Sequence, residues 1–222
     1  MHWLETISFL PSGTQPFVLY EDNHLIAVFK PVGMLTQADR TGVRSLFDWT
    51  RDWIKDKYQK PGRVFLGLVH RLDRPVSGVV LFAKNSKAAS RVSENFRNHE
   101  VKKTYWGLVD GMPKSQSLTH YLRWDERSKK TEFYHSEQIG TKLACLSFSV
   151  LRTEGREALL EVMPATGRKH QIRAQLAGIG FPIIGDKKYG SRRGFGQGIA
   201  LFAKSLEFPH PVRRDEWLRI EA

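Results

Sequence analysis

The chain has 222 residues, a net charge of +12 and a single cysteine, Cys145. Hydrophobic residues make up 41% and charged residues 26% of the sequence, which excludes disorder, collagen and coiled coil as descriptions of the whole chain. One cysteine excludes an intramolecular disulfide and a zinc site built on several cysteines. The charge favours a polyanionic partner, with nucleic acid first, although solubility alone would also account for it.

No stretch of the sequence approaches the roughly 18 apolar residues that span a bilayer. The first residues also lack the basic and apolar pattern of a signal peptide. We therefore expect a cytoplasmic protein with no membrane partner. Because no Pro/Gly/Ser-rich linker divides the chain, residues 1–222 are predicted to form a single domain.

The first half of the chain predicts short strands and two helices. Two apolar runs near the N-terminus predict strands, over residues 17–20 and 25–29. Ser45 and Asp48 make a capping box that predicts a helix as far as Tyr58. Near-continuous apolar runs predict two buried strands, over residues 64–69 and 78–83. Ser86 is predicted to cap a second helix that runs to about His99.

The second half predicts mainly strands. The alternating pattern around Tyr105 is typical of a strand, and similar runs cover residues 118–124, 131–135, 143–152, 157–163 and 199–208. A short helix is predicted over residues 169–177. Because strands outnumber helices and short turns join many neighbours, we expect an α+β fold with a mostly antiparallel sheet.

A dense polar segment, His70-Arg71-Leu72-Asp73-Arg74, joins the two predicted buried strands. Loops held by buried strands position catalytic groups well. The neighbouring arginines would keep the Asp73 carboxylate ionised, as a nucleophile or a base requires. On spacing alone, an Asx turn beside solvated arginines fits equally well.

Two further segments are rich in cations. Arg168, Lys169 and Arg173 lie near the predicted helix start, where the helix dipole prefers acids, so a negative partner is expected, either Asp73 or a phosphate. Residues 182–193 form a basic strip around a single acid, Asp186, with four candidates for phosphate contact: Lys187, Lys188, Arg192 and Arg193. A basic surface helix with no such partner would also account for the first of these segments.

Metal and nucleotide-cofactor sites have little support in the sequence. His70, Asp73 and His170 could be drawn as metal ligands, but they are far apart and no zinc-binding motif is present, so no metal is expected. The glycines of residues 194–198 follow no strand–helix context, so they do not make a dinucleotide fingerprint.

Five segments in order resemble the RluA-type pseudouridine synthases, which isomerise uridine in ribosomal or transfer RNA. They are DNHLIAVFKPVG (22–33), HRLDRPVSGVVLFAKN (70–85), KKTYWGLVDG (102–111), TGRKHQIRAQLAGIGFPIIGDKKYG (166–190) and IALFAKSLEFPHP (199–211). The resemblance implies that family's fold, a twisted mixed sheet flanked by helices with a central active-site cleft. It also implies a structured RNA substrate, rRNA or tRNA, with no cofactor and no obligate protein partner.

By motif position, the resemblance assigns the catalytic roles. Asp73 would be the nucleophile, Tyr105 would stack on the base and could transfer a proton at C5, and Arg173 would pair with Asp73. Arg71 would lie beside a nucleotide flipped out of its stack. Together with the basic segments, this gives the candidate RNA-binding residues Arg71, Arg74, Arg168, Lys169, His170, Lys187, Lys188, Arg192 and Arg193.

The sequence departs from the family pattern at two positions. Val76 stands where many members have threonine, and Phe202 where they often have histidine.

We expect no separate N-terminal RNA-binding domain, which many relatives carry, because nothing before residue 17 is long enough to form one. A non-catalytic RNA-binding or ribosome-assembly factor on the same scaffold is the alternative, and a metal-dependent nuclease is a third hypothesis.

Overall fold

The computed structural model describes residues 14–196, 198–213 and 215–222. The chain folds into two compact units, which we call the first unit (the described residues up to Val101, and Ala203–Ala222) and the second unit (Lys102–Phe202). The helices are α1 (Leu46–Lys57), α2 (Ser86–Arg97) and α3 (Gln171–Gly178). The strands are β1 (Phe17–Glu21), β2 (Leu25–Lys30), β3 (Gly67–Leu68), β4 (Ser77–Ala83), β5 (Lys102–Asp110), β6 (Gln116–Asp125), β7 (Lys130–Tyr134), β8 (Lys142–Glu154), β9 (Glu157–Pro164), β10 (Leu201–Pro209) and β11 (Trp217–Glu221). Within the described ranges, no helix is both long enough and apolar enough to cross a membrane.

The first unit is built on strands from both ends of the chain. Its strand order is β1-β2-β4-β10, with β3 pairing β4 and β11 pairing β10. The pairs β1·β2, β2·β4, β3·β4 and β10·β11 are antiparallel. Helix α2 packs its apolar side on this sheet, and the resulting core includes Leu25, Leu81, Val92 and Phe208.

Gly78 allows β4 and β10 to approach closely in this core. Its φ is +122°, and a Cβ at this position would lie 2.2 Å from the Ala203 carbonyl oxygen. Only glycine tolerates both the backbone conformation and the contact. The glycine therefore fixes how β10 packs against the strand that follows the Asp73 loop.

The second unit is an antiparallel sheet in the order β5-β9-β8-β6-β7. Helix α3 packs on it through a small core of Leu122, Ala144, Ala174 and Tyr189. Two strand pairs of this sheet matter for the site. β5 carries Tyr105 opposite Val162 of β9, and β6 and β7 form a hairpin whose end lies beside the residues that precede α3.

The predicted fold class is confirmed, since three helices in the described residues accompany strands that pair mostly antiparallel. The predicted capping box at α1 is also confirmed: Ser45 accepts the Asp48 N–H, and Asp48 reaches back to the Ser45 N–H. The single-domain organisation stays a prediction. The expectation of no separate domain before residue 17 falls largely on residues 1–13, outside the described residues.

Several predicted boundaries are wrong. α2 is capped by Asn85, whose side chain accepts the Ala88 N–H, and not by Ser86. The strand predicted over residues 64–69 shrinks to Gly67–Leu68, because the Leu81 N–H that a longer strand would use donates to His70 Nε2 at 2.8 Å. β11 was not predicted at all.

Candidate active site

Asp73 lies in a short loop that connects β3 to β4, and its backbone is fixed on both sides. Thr36 Oγ1 donates to the Leu72 carbonyl at 2.9 Å and accepts the Leu72 N–H at 3.2 Å. The Val76 N–H donates to the Asp73 carbonyl at 3.1 Å, which closes a turn. Thr36, Leu72 and Val76 are buried, while Asp73 is half-buried. The Asp73 side chain is therefore carried by a rigid loop, and Val76, at the position where many family members have threonine, is buried.

Lys30 supports the same loop from beneath, a role that the sequence did not indicate. It is fully buried, and its Nζ donates to the carbonyls of Pro31 (3.1 Å), Met34 (2.8 Å) and Arg74 (3.3 Å). Burial lowers the pKa of Lys30 to about 7, although the nearby negative charge of Asp73 opposes the shift. The feature of the sequence that could have drawn attention to Lys30 is its position at the end of an otherwise apolar strand.

Arg74, which is exposed, connects the Asp73 loop to Gly33. Its Nε donates to the Gly33 carbonyl at 2.9 Å, and its own carbonyl accepts the Gly33 N–H at 2.9 Å. Arg74 and Arg71 are exposed, as RNA contacts would need to be. The segment Lys30-Pro31-Val32-Gly33 and the Asp73 loop, some 40 residues apart in the chain, are therefore joined by hydrogen bonds.

Arg173 lies in α3 of the second unit and is held by Asp186, a pairing that the sequence did not indicate. Its Nε donates to Asp186 Oδ2 at 2.7 Å and its Nη2 to Asp186 Oδ1 at 2.9 Å. Both side chains are buried, with exposed fractions of 6% and 2%. Asp186, the single acid of the predicted basic strip, is therefore buried against Arg173. The pairing of Arg173 with Asp73, which belongs to the first unit, stays a prediction.

The segment before α3 also differs from its prediction. Helix α3 begins at Gln171, after His170 in the left-handed conformation with φ +52°. Arg168 and Lys169 therefore lie just before the helix rather than in its first turn, still next to the positive end of the helix dipole. The segment is fixed by Thr166, whose hydroxyl donates to Gln171 Oε1 at 2.7 Å and accepts the Cys145 N–H at 3.0 Å.

Tyr105 is half-buried on β5. Two residues before it, Lys103 Nζ donates to the Thr166 carbonyl at 3.2 Å, and burial lowers the pKa of Lys103 to about 8. This bond ties the strand of Tyr105 to the segment that leads into the helix of Arg173. The positions of two predicted catalytic residues in the second unit are thus linked through Lys103 and Thr166.

Most of the other predicted RNA-binding residues lie at the surface of the second unit. Lys169, Lys187, Lys188, Arg192 and Arg193 are exposed, while Arg168 and His170 are half-buried. Arg168 Nε donates to the Leu143 carbonyl at 3.0 Å, and His170 Nδ1 lies 2.9 Å from the Tyr189 hydroxyl.

Arg192 and Arg193 line a surface cavity of about 590 Å³ together with Arg156. Arg193 also forms a close ion pair with Glu157. Sequence reasoning missed Arg156, which lies in the turn between β8 and β9 and is brought to the cavity by the fold.

The two histidines of the metal-site hypothesis make contacts with aromatic rings and the backbone. His70 accepts the Leu81 N–H through Nε2 and stacks on Phe96, with ring centroids 5.0 Å apart. His170 contacts Tyr189 and Trp124 within the second unit. Among residues 14–196, 198–213 and 215–222, no group of three or more histidine, cysteine or carboxylate side chains is arranged to hold a metal ion.

Comparison with solved structures supports the fold. The chain is similar to the human RNA pseudouridylate synthase domain containing 4, with a TM-score of 0.76 and 24% identity over 92% of this chain and 87% of the other. It is also similar to the human RNA pseudouridylate synthase domain containing 1, with a TM-score of 0.77 and 22% identity over 96% and 86% of the two chains. At these identities the likeness establishes the fold alone.

Comparison with characterised sequences goes further. Residues 24–178 match the family described as RNA pseudouridylate synthase. The chain is 33% identical to tRNA pseudouridine synthase C of Vibrio cholerae serotype O1, over 87% of this chain and 85% of the relative. It is 30% identical to the dual-specificity RNA pseudouridine synthase RluA of Vibrio vulnificus, over 96% and 85%. These relatives do not favour the non-catalytic alternative. The chain therefore belongs to the RluA-type RNA pseudouridylate synthases and is an isomerase that acts on RNA.

Proposed function

We propose that this protein converts uridine to pseudouridine in transfer RNA, with Asp73 as the nucleophile. The observation that carries the assignment of Asp73 is its loop, which Thr36 and Lys30 hold through hydrogen bonds to the backbone on either side of a half-buried Asp73. Rigid support of this kind is what a reacting group requires. A transfer RNA substrate is favoured because one relative is named a tRNA pseudouridine synthase. Ribosomal RNA is the second candidate, since another is named dual-specificity.

The reaction is an isomerisation, so it neither adds nor removes atoms overall. The bond between N1 of the uracil and C1′ of the ribose breaks, the ring turns, and a bond forms between C5 and C1′. The hydrogen on C5 is lost as a proton and N1 gains one. No oxidant or reductant is needed, and the proposal includes no cofactor.

Each predicted site residue has a role in this scheme. Asp73 assists the cleavage at C1′ or attacks the ring. The Tyr105 ring stacks on the detached uracil while it turns and receives the C5 proton. Arg173 supplies positive charge to the Asp73 carboxylate. Arg71 occupies the gap that the flipped uridine leaves, which offsets part of the unstacking free energy.

The basic residues hold the RNA while the base is out of its stack. Arg74, Arg168, His170, Arg192 and Arg193 are proposed to contact phosphates, together with the lysines Lys169, Lys187 and Lys188. No protein partner is included in the proposal. A cytoplasmic location, expected from the sequence, stays a prediction.

The test uses purified protein and RNA alone. Total tRNA and rRNA from a strain that lacks the gene are incubated with the enzyme in the presence of EDTA, and pseudouridines are mapped. We expect new pseudouridine in tRNA with wild-type protein and none with Asp73→Asn. Modification by Asp73→Asn at the wild-type level would overturn the assignment of the nucleophile, and new sites confined to rRNA would overturn the choice of substrate.

A further inference from the structure

Three basic segments of the second unit meet at the end of the β6–β7 hairpin. Lys188 Nζ donates to the Lys129 carbonyl at 2.9 Å. Thr131 Oγ1 donates to the Lys169 carbonyl at 2.7 Å. Segments that are 59 and 38 residues apart in the chain are therefore direct neighbours in the fold.

The meeting of these segments produces a strongly positive patch, which we call the hairpin surface. Its six cations are all exposed: Arg127, Lys129, Lys130, Lys169, Lys187 and Lys188. The turn of the hairpin also carries two acids, Asp125 and Glu126, so these eight residues together have a charge of six minus two, or +4. That is a third of the net charge of +12 on the whole chain.

Neither acid neutralises the patch effectively. The Asp125 carboxylate holds the turn itself, accepting the Arg127 N–H and the Ser128 N–H, each at 3.1 Å. Glu126 pairs with Lys129 at 2.6 Å, but the two side chains are 75% and 64% exposed. An ion pair that is this exposed is weak and easily replaced. A phosphate group can therefore compete for the cations.

Two of the ammonium groups are held over aromatic rings. Lys169 Nζ lies 3.2 Å from the centroid of the Trp124 ring, and Lys130 Nζ lies 5.3 Å from that of Tyr189. Cation–π contacts of this kind restrict long side chains that would otherwise move freely. A binding surface whose charges are held in place loses less conformational entropy when its ligand arrives.

We propose that the hairpin surface binds the phosphodiester backbone of the substrate RNA. The proposal rests on the proposed function, and it adds Arg127, Lys129 and Lys130 to the RNA contacts. A fixed cluster of ammonium groups recognises phosphates through charge alone, without reading base edges. The surface therefore contributes affinity and orientation for structured RNA and leaves the choice of uridine to other residues.

The test removes three charges from the hairpin. The variant combines Arg127→Gln, Lys129→Asn and Lys130→Gln, with asparagine at 129 because this residue has φ +52°. The matched control combines Lys55→Gln, Lys87→Gln and Arg97→Gln, three exposed cations on the helices of the first unit. Both triple variants have the same net charge, and thermal unfolding checks that both are folded.

Binding of total tRNA from the deletion strain is measured between 50 and 300 mM KCl. For the hairpin variant we expect the slope of log Kd against log salt to fall by about 2 to 3. We also expect kcat/KM for tritium release from C5-labelled tRNA to fall about tenfold, chiefly through KM. The control should keep the wild-type slope.

A wild-type slope and KM in the hairpin variant would overturn the inference, as would an equal loss of slope in the control. Failure of the proposed function has a different signature. In that case Asp73→Asn would release tritium as the wild type does, whatever the hairpin variant binds.

Discussion

Arg173 and Asp186 form a buried bidentate ion pair, with both carboxylate oxygens within 2.9 Å of guanidinium nitrogens. The Arg173 guanidinium also lies 5.0 Å from the ring centroid of Tyr189. Because arginine has donors on more than one edge of its fork, it can be fixed by one carboxylate and still offer hydrogen bonds to another. Asp186 thus holds the cation that we propose acts on Asp73.

Asp186→Asn should destabilise the protein by about 3 to 5 kcal/mol, because it leaves the Arg173 charge buried without its partner. The free energy of unfolding in urea measures the effect. Asp56→Asn, an exposed carboxylate of α1, is the control and should change the value by less than about 0.5 kcal/mol. A loss below about 1 kcal/mol for Asp186→Asn would show that the pair is not needed.

Thr36→Val should slow the reaction by loosening the Asp73 loop. The substitution keeps the shape of the side chain but leaves the buried Leu72 N–H and carbonyl without the Thr36 hydroxyl, which costs about 1 to 3 kcal/mol. Since Thr36 acts through Asp73, kcat should fall about tenfold or more with little change in KM, measured by tritium release.

Thr36→Ser retains the hydroxyl and should restore most of the rate. Thr41→Val, at an exposed position in the same segment, controls for the loss of a hydroxyl as such. Equal rates for Thr36→Val and Thr36→Ser would argue against a positioning role for this residue.

Lys30 should make stability depend on pH. Its pKa is about 7 in the folded protein, below the ordinary 10.5, so between these values the unfolded state binds more protons. Stability then rises with pH, by at most about 1.4 kcal/mol per pH unit. The difference in unfolding free energy between wild type and Lys30→Met should rise from pH 7 to pH 10 and be flat below pH 6. Parallel curves would mean that the amine does not titrate in this range.

Gly78→Ala should destabilise the first unit by about 3 kcal/mol, since the new Cβ would lie 2.2 Å from the Ala203 carbonyl oxygen and the backbone has φ +122°. Gly62→Ala is the matched control, because a Cβ there meets nothing within 4 Å. Urea unfolding of both variants gives the comparison. A small effect at Gly78 would mean that β10 can shift without loss of stability.

Local sequence signals predicted the parts of the fold that depend on neighbours in the chain. The Ser45–Asp48 capping box placed α1 correctly, and apolar runs located β2 and β4. β11 was missed because the alternation of apolar and charged residues in Trp217–Glu221 covers only its last four positions. Its pairing depends on β10, which sequence periodicity does not reveal.

The same distinction holds for the candidate site, where a continuous motif could be predicted and contacts between distant residues could not. The motif around Asp73 is continuous in sequence and could be identified from the family resemblance. Asp186 and Lys30 could not be recognised by composition, because charged residues are usually exposed and their burial is set by distant partners. The bidentate geometry at Arg173 and the carbonyls around Lys30 are products of the tertiary fold alone.

The first unit contains strands from both ends of the chain, so its sheet cannot be completed until β10 has been synthesised. β4 is synthesised about 120 residues before β10, its neighbour in the sheet, and until then the part of its edge that β3 does not pair is exposed. An exposed apolar edge of this kind is a site for aggregation. The second unit, by contrast, is contiguous and can fold as soon as residue 202 is free. We therefore expect a chain truncated after residue 202 to contain a protease-resistant second unit and a protease-sensitive first unit.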